Sequence, residues 1–134
     1  MAVWQVTISL VKKEGVFSYS MSELWNSISE LIEYFPEEKS WCDSIRQFGK
    51  LDSTCIEIDT ECEEITLRID LRSITQGQLD AIIGFSNSNE LKISYEEKIY
   101  EPTLGNFVQI IKASNAFRFL NNPKGFLRSI RNKQ

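Results

Sequence analysis

Apolar and polar residues alternate without a break in two neighbouring stretches of this chain. Thr54, Ile56 and Ile58 alternate with Cys55, Glu57 and Asp59. Ile65, Leu67, Ile69 and Leu71 alternate with Thr66, Arg68, Asp70 and Arg72. A period of two is the mark of a strand buried on one face. A tight turn near Glu61-Cys62 sets Ile58 opposite Ile65, Ile56 opposite Leu67 and Thr54 opposite Ile69, so both apolar sets share a face. The same register opposes Asp59 and Glu64, a like-charge pair that works against pairing by up to about 1 kcal/mol. The turn also lacks the Asn-Gly or Asp-Gly of two-residue hairpins. The pattern predicts a hairpin that supplies two strands, one of them at a sheet edge.

The rest of the chain reads in the same way. Trp4, Val6, Ile8 and Leu10 alternate with Gln5, Thr7 and Ser9, which predicts a first strand over 3–12. Lys12-Lys13-Glu14-Gly15 reads as a turn and 16–19 as a short returning strand. Ser20 and Glu23 form a capping-box pattern that opens a helix. Leu24, Ile28, Leu31, Ile32 and Phe35 then lie along one helical face, and Pro36 stops it. Residues 37–48 read as a second helix carrying Trp41, Ile45 and Phe48, with Gly49 as its C-terminal cap. Thr75 and Gln78 form another capping box, for a helix closed by Gly84 and the polar run 86–89. Leu91, Ile93 and Tyr95 mark a strand that continues towards Tyr100. Thr103 caps a helix bearing Leu104, Phe107, Val108 and Ile111, and 116–120 is helical. Asn122 and Pro123 open a last helix with Phe126, Leu127 and Ile130 on one side.

The resulting order, β-α-α-β-β-α-β-α-α, predicts an α+β fold with an antiparallel sheet of about four strands packed on helices. Its inner part, β-α-β-β-α-β, is the order of a ferredoxin-like core, with the C-terminal helices added. At 134 residues, without a linker, repeat or low-complexity segment, residues 1–134 form a single domain.

Charge changes the picture more than composition does. Apolar residues at 42% and charged residues at 25% are ordinary for a soluble globular protein. The net charge of −4 conceals a division: residues 1–101 carry all nineteen acids and nine of the fifteen bases. Residues 102–134 carry six bases (Lys112, Arg118, Lys124, Arg128, Arg131, Lys133) and no acid. The two segments therefore hold −10 and +6, a matter of partners more than of fold, unless the basic end pairs internally with the acidic body. Five of the eight residues 57–64 are acidic: Glu57, Asp59, Glu61, Glu63 and Glu64. That run is read either as a solvated tip whose charge blocks edge-to-edge pairing or as a docking surface for a basic protein.

Chemistry enters mostly by exclusion. The chain has no histidine, which removes Ser-His-Asp and Cys-His catalysis and His-Glu-x-x-His zinc sites. No glycine-rich phosphate loop is present. The thiols of Cys55 and Cys62 lie among carboxylates, which raise a thiol pKa, and Cys42 reads as a small apolar residue. The acidic run lacks calcium-loop spacing, so neither a metal nor a cofactor is expected. Phe117, Phe119 and Phe126 near Arg118, Arg128 and Arg131 suggest single-stranded nucleic acid. Their helical spacing suits a core better, and an acidic body repels phosphate. No run is apolar and long enough to span a membrane, and the N-terminus lacks a basic, apolar leader. Three cysteines, an odd number, predict a reducing compartment, the cytoplasm.

Three function classes survive: a protein-binding module, a regulatory or scaffold domain that self-associates by a sheet edge, and an enzyme using carboxylates. In size, acidity, α+β character and lack of a catalytic signature the chain resembles the immunity proteins of bacterial toxin–immunity systems, including contact-dependent growth inhibition. The resemblance implies a non-enzymatic inhibitor that binds a cognate toxin domain, often a basic nuclease, and blocks it. On physical grounds the contacts would come from Glu57, Asp59, Glu61, Glu63 and Glu64.

Overall fold

A computed structural model describes residues 3–12, 21–120 and 122–131. In chain order the strands are β1 (Gln5–Lys12), β2 (Glu37–Glu38), β3 (Ile45–Phe48), β4 (Cys55–Asp59), β5 (Glu64–Asp70), β6 (Leu91–Tyr95) and β7 (Lys98–Tyr100). The helices are α1 (Met21–Ser27), α2 (Ser29–Ile32), α3 (Gln76–Ser88), α4 (Leu104–Ala113) and α5 (Pro123–Arg131), with a 3-10 turn over Ala116–Phe119. The strands form one open sheet in the order β2-β3-β4-β5-β1-β6-β7. Every neighbouring pair is antiparallel. The fold is therefore α+β, with an antiparallel sheet packed on helices.

Period-two patterning puts one apolar face on the sheet. Val6, Ile8 and Leu10 of β1, Ile56 and Ile58 of β4, Ile65, Leu67 and Ile69 of β5, and Leu91 and Ile93 of β6 are all buried. They share one core with Leu79, Ile82 and Phe85 of α3, Phe107, Val108 and Ile111 of α4, and Ile130 of α5. Burial of each such side chain stabilises the fold by about 1.5–3 kcal/mol before conformational entropy is counted. Local signals at the helix starts hold. Thr75 Oγ1 accepts from Gln78 N at 3.1 Å while Gln78 Oε1 accepts from Thr75 N, a complete capping box. Thr103 Oγ1 accepts from Asn106 N, and Asn122 Oδ1 accepts from Gly125 N at 3.0 Å, with Pro123 opening α5.

The hairpin has the register that its pattern demands: Ile58 faces Ile65, Ile56 faces Leu67 and Asp59 faces Glu64. Its position is a correction. Neither β4 nor β5 is an edge, because β3 pairs with β4 and β1 pairs with β5. The sheet has seven strands rather than about four. Residues 37–48 are not a helix: they form β2, a loop and β3. Trp41, Ile45 and Phe48 match a helical period, but Phe48 enters the core from a strand and Trp41 lies in the loop. Gly49 ends β3, not a helix. At φ +87° it occupies the left-handed region, and a Cβ there would stand 2.4 Å from the Thr54 carbonyl oxygen. Gly84 lies inside α3, which runs on to Ser88. The strand after Leu91 is broken at Glu96-Glu97 into the β6–β7 hairpin. The expected turn and strand over 13–19 and the Ser20–Glu23 capping box lie outside the described residues.

The outer strand β2 is held by charge. Arg46 donates to both Glu37 carboxylate oxygens, at 2.7 and 2.9 Å, and its guanidinium lies 4.2 Å from the centroid of the Trp25 ring. That hydrogen-bonded pairing with Arg46 holds the Glu37 carboxyl below its ordinary pKa.

Candidate functional site

Alternation that buries one face of the sheet must present the other. Buried residues of α3, α4 and α5 pack on the apolar face, and the opposite face is mostly polar, with Val11, Ile45 and Ile99 as apolar exceptions. The register lines up Glu38, Gln47, Glu57, Thr66, Ser9, Ser94 and Ile99 in a single row across all seven strands.

Glu57 lies in this row but is only 5% exposed. One carboxylate oxygen accepts from the Arg68 guanidinium on the neighbouring strand. The other accepts from Trp41 Nε1 at 2.7 Å. The loop between β2 and β3 thus folds over the polar face and uses Glu57 as its anchor. Trp41 itself stays 69% exposed. The same loop is tied to the β4–β5 tip, since Ser44 O accepts from both Thr60 N and Thr60 Oγ1 at 2.8 Å. An exposed indole is therefore held beside the acidic hairpin tip by three hydrogen bonds, and its orientation is set before any partner arrives.

The acidic residues expected to bind a partner divide accordingly. Glu57 is committed internally. Asp59 is half-buried, and its Oδ1 accepts from Glu61 N and Cys62 N at 3.0 Å each, closing the four-residue loop 60–63. This side-chain cap supplies the turn chemistry that an Asn-Gly would otherwise provide. Glu63 adopts the left-handed region at φ 56°. Glu61 and Glu64 are exposed, Glu63 is partly so, and Asp43 is exposed in the adjoining loop. The usable acidic surface is thus Glu61, Glu63 and Glu64 with Asp43, while Glu57 and Asp59 hold the scaffold. Sequence reasoning missed Trp41 as a surface residue, because its spacing from Ile45 and Phe48 imitated a helix face.

Both hairpin thiols are held above their ordinary pKa, for different reasons. Cys62 is exposed, and the negative charge of Asp59, then lesser contributions including Glu64 and Glu61, raises it. Cys55 is not among free carboxylates as expected. It is buried opposite Arg68, and burial raises its pKa while the nearby guanidinium opposes the shift.

At the far end of the strands two open grooves, of about 680 and 720 Å³, lie either side of exposed Val3 and Phe119. The first is lined by polar groups including Gln5, Thr7, Asn115 and Arg118. Burial, with a smaller effect of Glu96, raises the pKa of Tyr95 on its wall. Of the C-terminal bases, Lys112, Arg118, Lys124 and Arg128 are exposed and form no ion pair among the described residues. No three acidic or cysteine side chains among the described residues are grouped to hold a metal ion, and no described helix is long and apolar enough to cross a membrane. Compared with known proteins, the chain matches no family model, and no curated protein or solved structure is significantly similar to it.

Proposed function

We propose that the chain is a protein-binding inhibitor of the immunity type, which occupies a basic toxin domain with the surface built from Trp41 and the hairpin tip. The observation that carries this reading is a large exposed indole, fixed by Glu57, next to the acids Asp43, Glu61, Glu63 and Glu64. Binding energy at protein interfaces concentrates in a few anchors, with tryptophan prominent among them. Surrounding charge sets association rate and partner choice. Trp41 is the anchor in this proposal and the acids steer it. The protein acts without chemistry of its own, without a cofactor, and in the cytoplasm. We read the four inner strands, β4-β5-β1-β6, as a ferredoxin-like core that β2, β3 and β7 extend; the strand order supports that reading.

The test is capture of partners from the native cell with this chain as bait, followed by kinetics on the captured protein. Charge reversal at Glu61, Glu63 and Glu64 should slow association and flatten its salt dependence. Trp41→Ala should instead speed dissociation and cost about 2 kcal/mol or more. Unchanged rates in both variants sink the assignment of this surface. Capture of no basic protein by folded bait removes support for the inhibitor role.

A further inference from the structure

Acidic tip and basic end sit at opposite ends of the same sheet. β5 starts at the tip with Glu64 and ends at Asp70, six residues or about 20 Å along the strand. Just beyond it Leu71 N donates to Trp4 O, and there the 720 Å³ groove opens. Val3, Trp4, Leu71, Phe119, Leu120 and Phe126 are among the residues that line this groove. Phe119 is 62% exposed. No acidic residue lines the groove. Exposed Arg118 adjoins Phe119 and lines the neighbouring 680 Å³ groove, which exposed Glu96 also lines; Lys124 and Arg128 stand one turn apart on α5, and none of the three bases is ion-paired among the described residues.

The tip acids Glu61, Glu63 and Glu64 and the bases Arg118, Lys124 and Arg128 form no ion pair within one copy among the described residues. Between copies the tip of one can reach the bases of the next. Each end also offers apolar surface: an exposed indole at the acidic tip and an apolar groove at the basic end. We propose that the chain associates with a second copy of itself head to tail, with Trp41 and the tip acids of one copy seated at the groove and bases of the next. Such a contact is heterologous, so it leaves a free tip and a free groove at the two ends of any open assembly. The charged contact is solvent-exposed, so salt weakens it. A basic partner bound at the tip would compete with it. The inference concerns the chain alone and stands or falls separately from the inhibitor reading.

Sedimentation velocity on the pure full chain tests it. At low salt the average mass should rise with concentration from the low micromolar range upwards, and at high salt it should return to the monomer. A tip variant (Glu61→Lys, Glu63→Lys, Glu64→Lys) and an end variant (Arg118→Glu, Lys124→Glu, Arg128→Glu) should each be monomeric when alone. Mixed in equal amounts they should associate again, because the reversed tip of one now meets the reversed end of the other. Circular dichroism confirms that each variant is folded, and Trp41→Ala gives a second, charge-neutral perturbation that should weaken association of the parent chain. A parent chain that stays monomeric at every concentration in low salt overturns the proposal. So does a mixture of folded variants that fails to associate, or a monomer that instead binds single-stranded DNA or anionic lipid vesicles through Lys124 and Arg128.

Discussion

Glu57 is the residue whose role the tertiary structure changes most, and its replacement by glutamine puts numbers on that change. The carboxylate accepts from two donors at once, Arg68 on one oxygen and Trp41 Nε1 on the other. An amide has one acceptor and one donor end. Whichever way it turns, one of the two neighbours faces an N–H with its own N–H. A hydrogen bond to a charged group contributes about 1.5–3 kcal/mol. The Arg68 side chain is 28% exposed and can turn towards water, so the ion-pair share is discounted. Glu57→Gln should therefore cost about 2 kcal/mol. Trp41→Phe keeps most of the ring, removes a single donor and should cost about 1 kcal/mol. Because both changes strike one bond, the double variant should cost less than their sum by about 1 kcal/mol. Urea unfolding followed by far-ultraviolet circular dichroism, with a constant slope across the set, measures all three. Additivity within about 0.3 kcal/mol, or a Glu57→Gln variant as stable as the parent, refutes the picture of Glu57 as the anchor of the Trp41 loop.

Three further outcomes follow from local geometry. Gly49→Ala forces an alanine into the left-handed region and sets its Cβ against the Thr54 carbonyl, so unfolding free energy should fall by about 3 kcal/mol in the same urea assay. The β6–β7 hairpin turns on two residues with positive φ, Glu96 at 48° and Glu97 at 66°, where Asn-Gly is the favoured pair. Substituting Asn-Gly for Glu96-Glu97 should raise stability by about 1 kcal/mol, the relief of left-handed strain less the added freedom of glycine in the unfolded chain. A lower melting temperature in that variant contradicts the turn geometry. The Cys62 thiol is pushed up chiefly by Asp59, so at mildly alkaline pH it holds less thiolate than an unperturbed thiol and should alkylate more slowly. Asp59→Asn keeps the turn acceptor but removes the charge. It should lower that pKa and speed iodoacetamide labelling at fixed pH, and an unchanged rate would show that the charge is not the cause.

Short-range information in the chain carried a good part of this structure. Strict alternation over 54–59 and 65–72 determined the hairpin register, because a slip of one residue would turn Ile56, Ile58, Ile65 and Leu67 out of the core. Capping patterns at Thr75, Thr103 and Asn122 located three helix starts, because those bonds join residues only three apart. Acid and base were segregated along the chain from the start. Tertiary structure alone decided the rest. β3 has four residues, too few to distinguish a strand from one turn of helix by period, and only the open edge of β4 selected the strand. Nothing local to Glu57 foretells its burial, since the group that covers it is sixteen residues away. Whether the basic end neutralised the acidic tip was likewise a question of distance. β5 runs about 20 Å from Glu64 at the tip to Asp70, and the groove lined by Phe119 and Phe126 opens beyond its far end. Pattern sets which face a residue takes, because that depends on near neighbours. Pairing between distant segments depends on the whole chain path, so the structure settled which charges were used up and which were left on the surface.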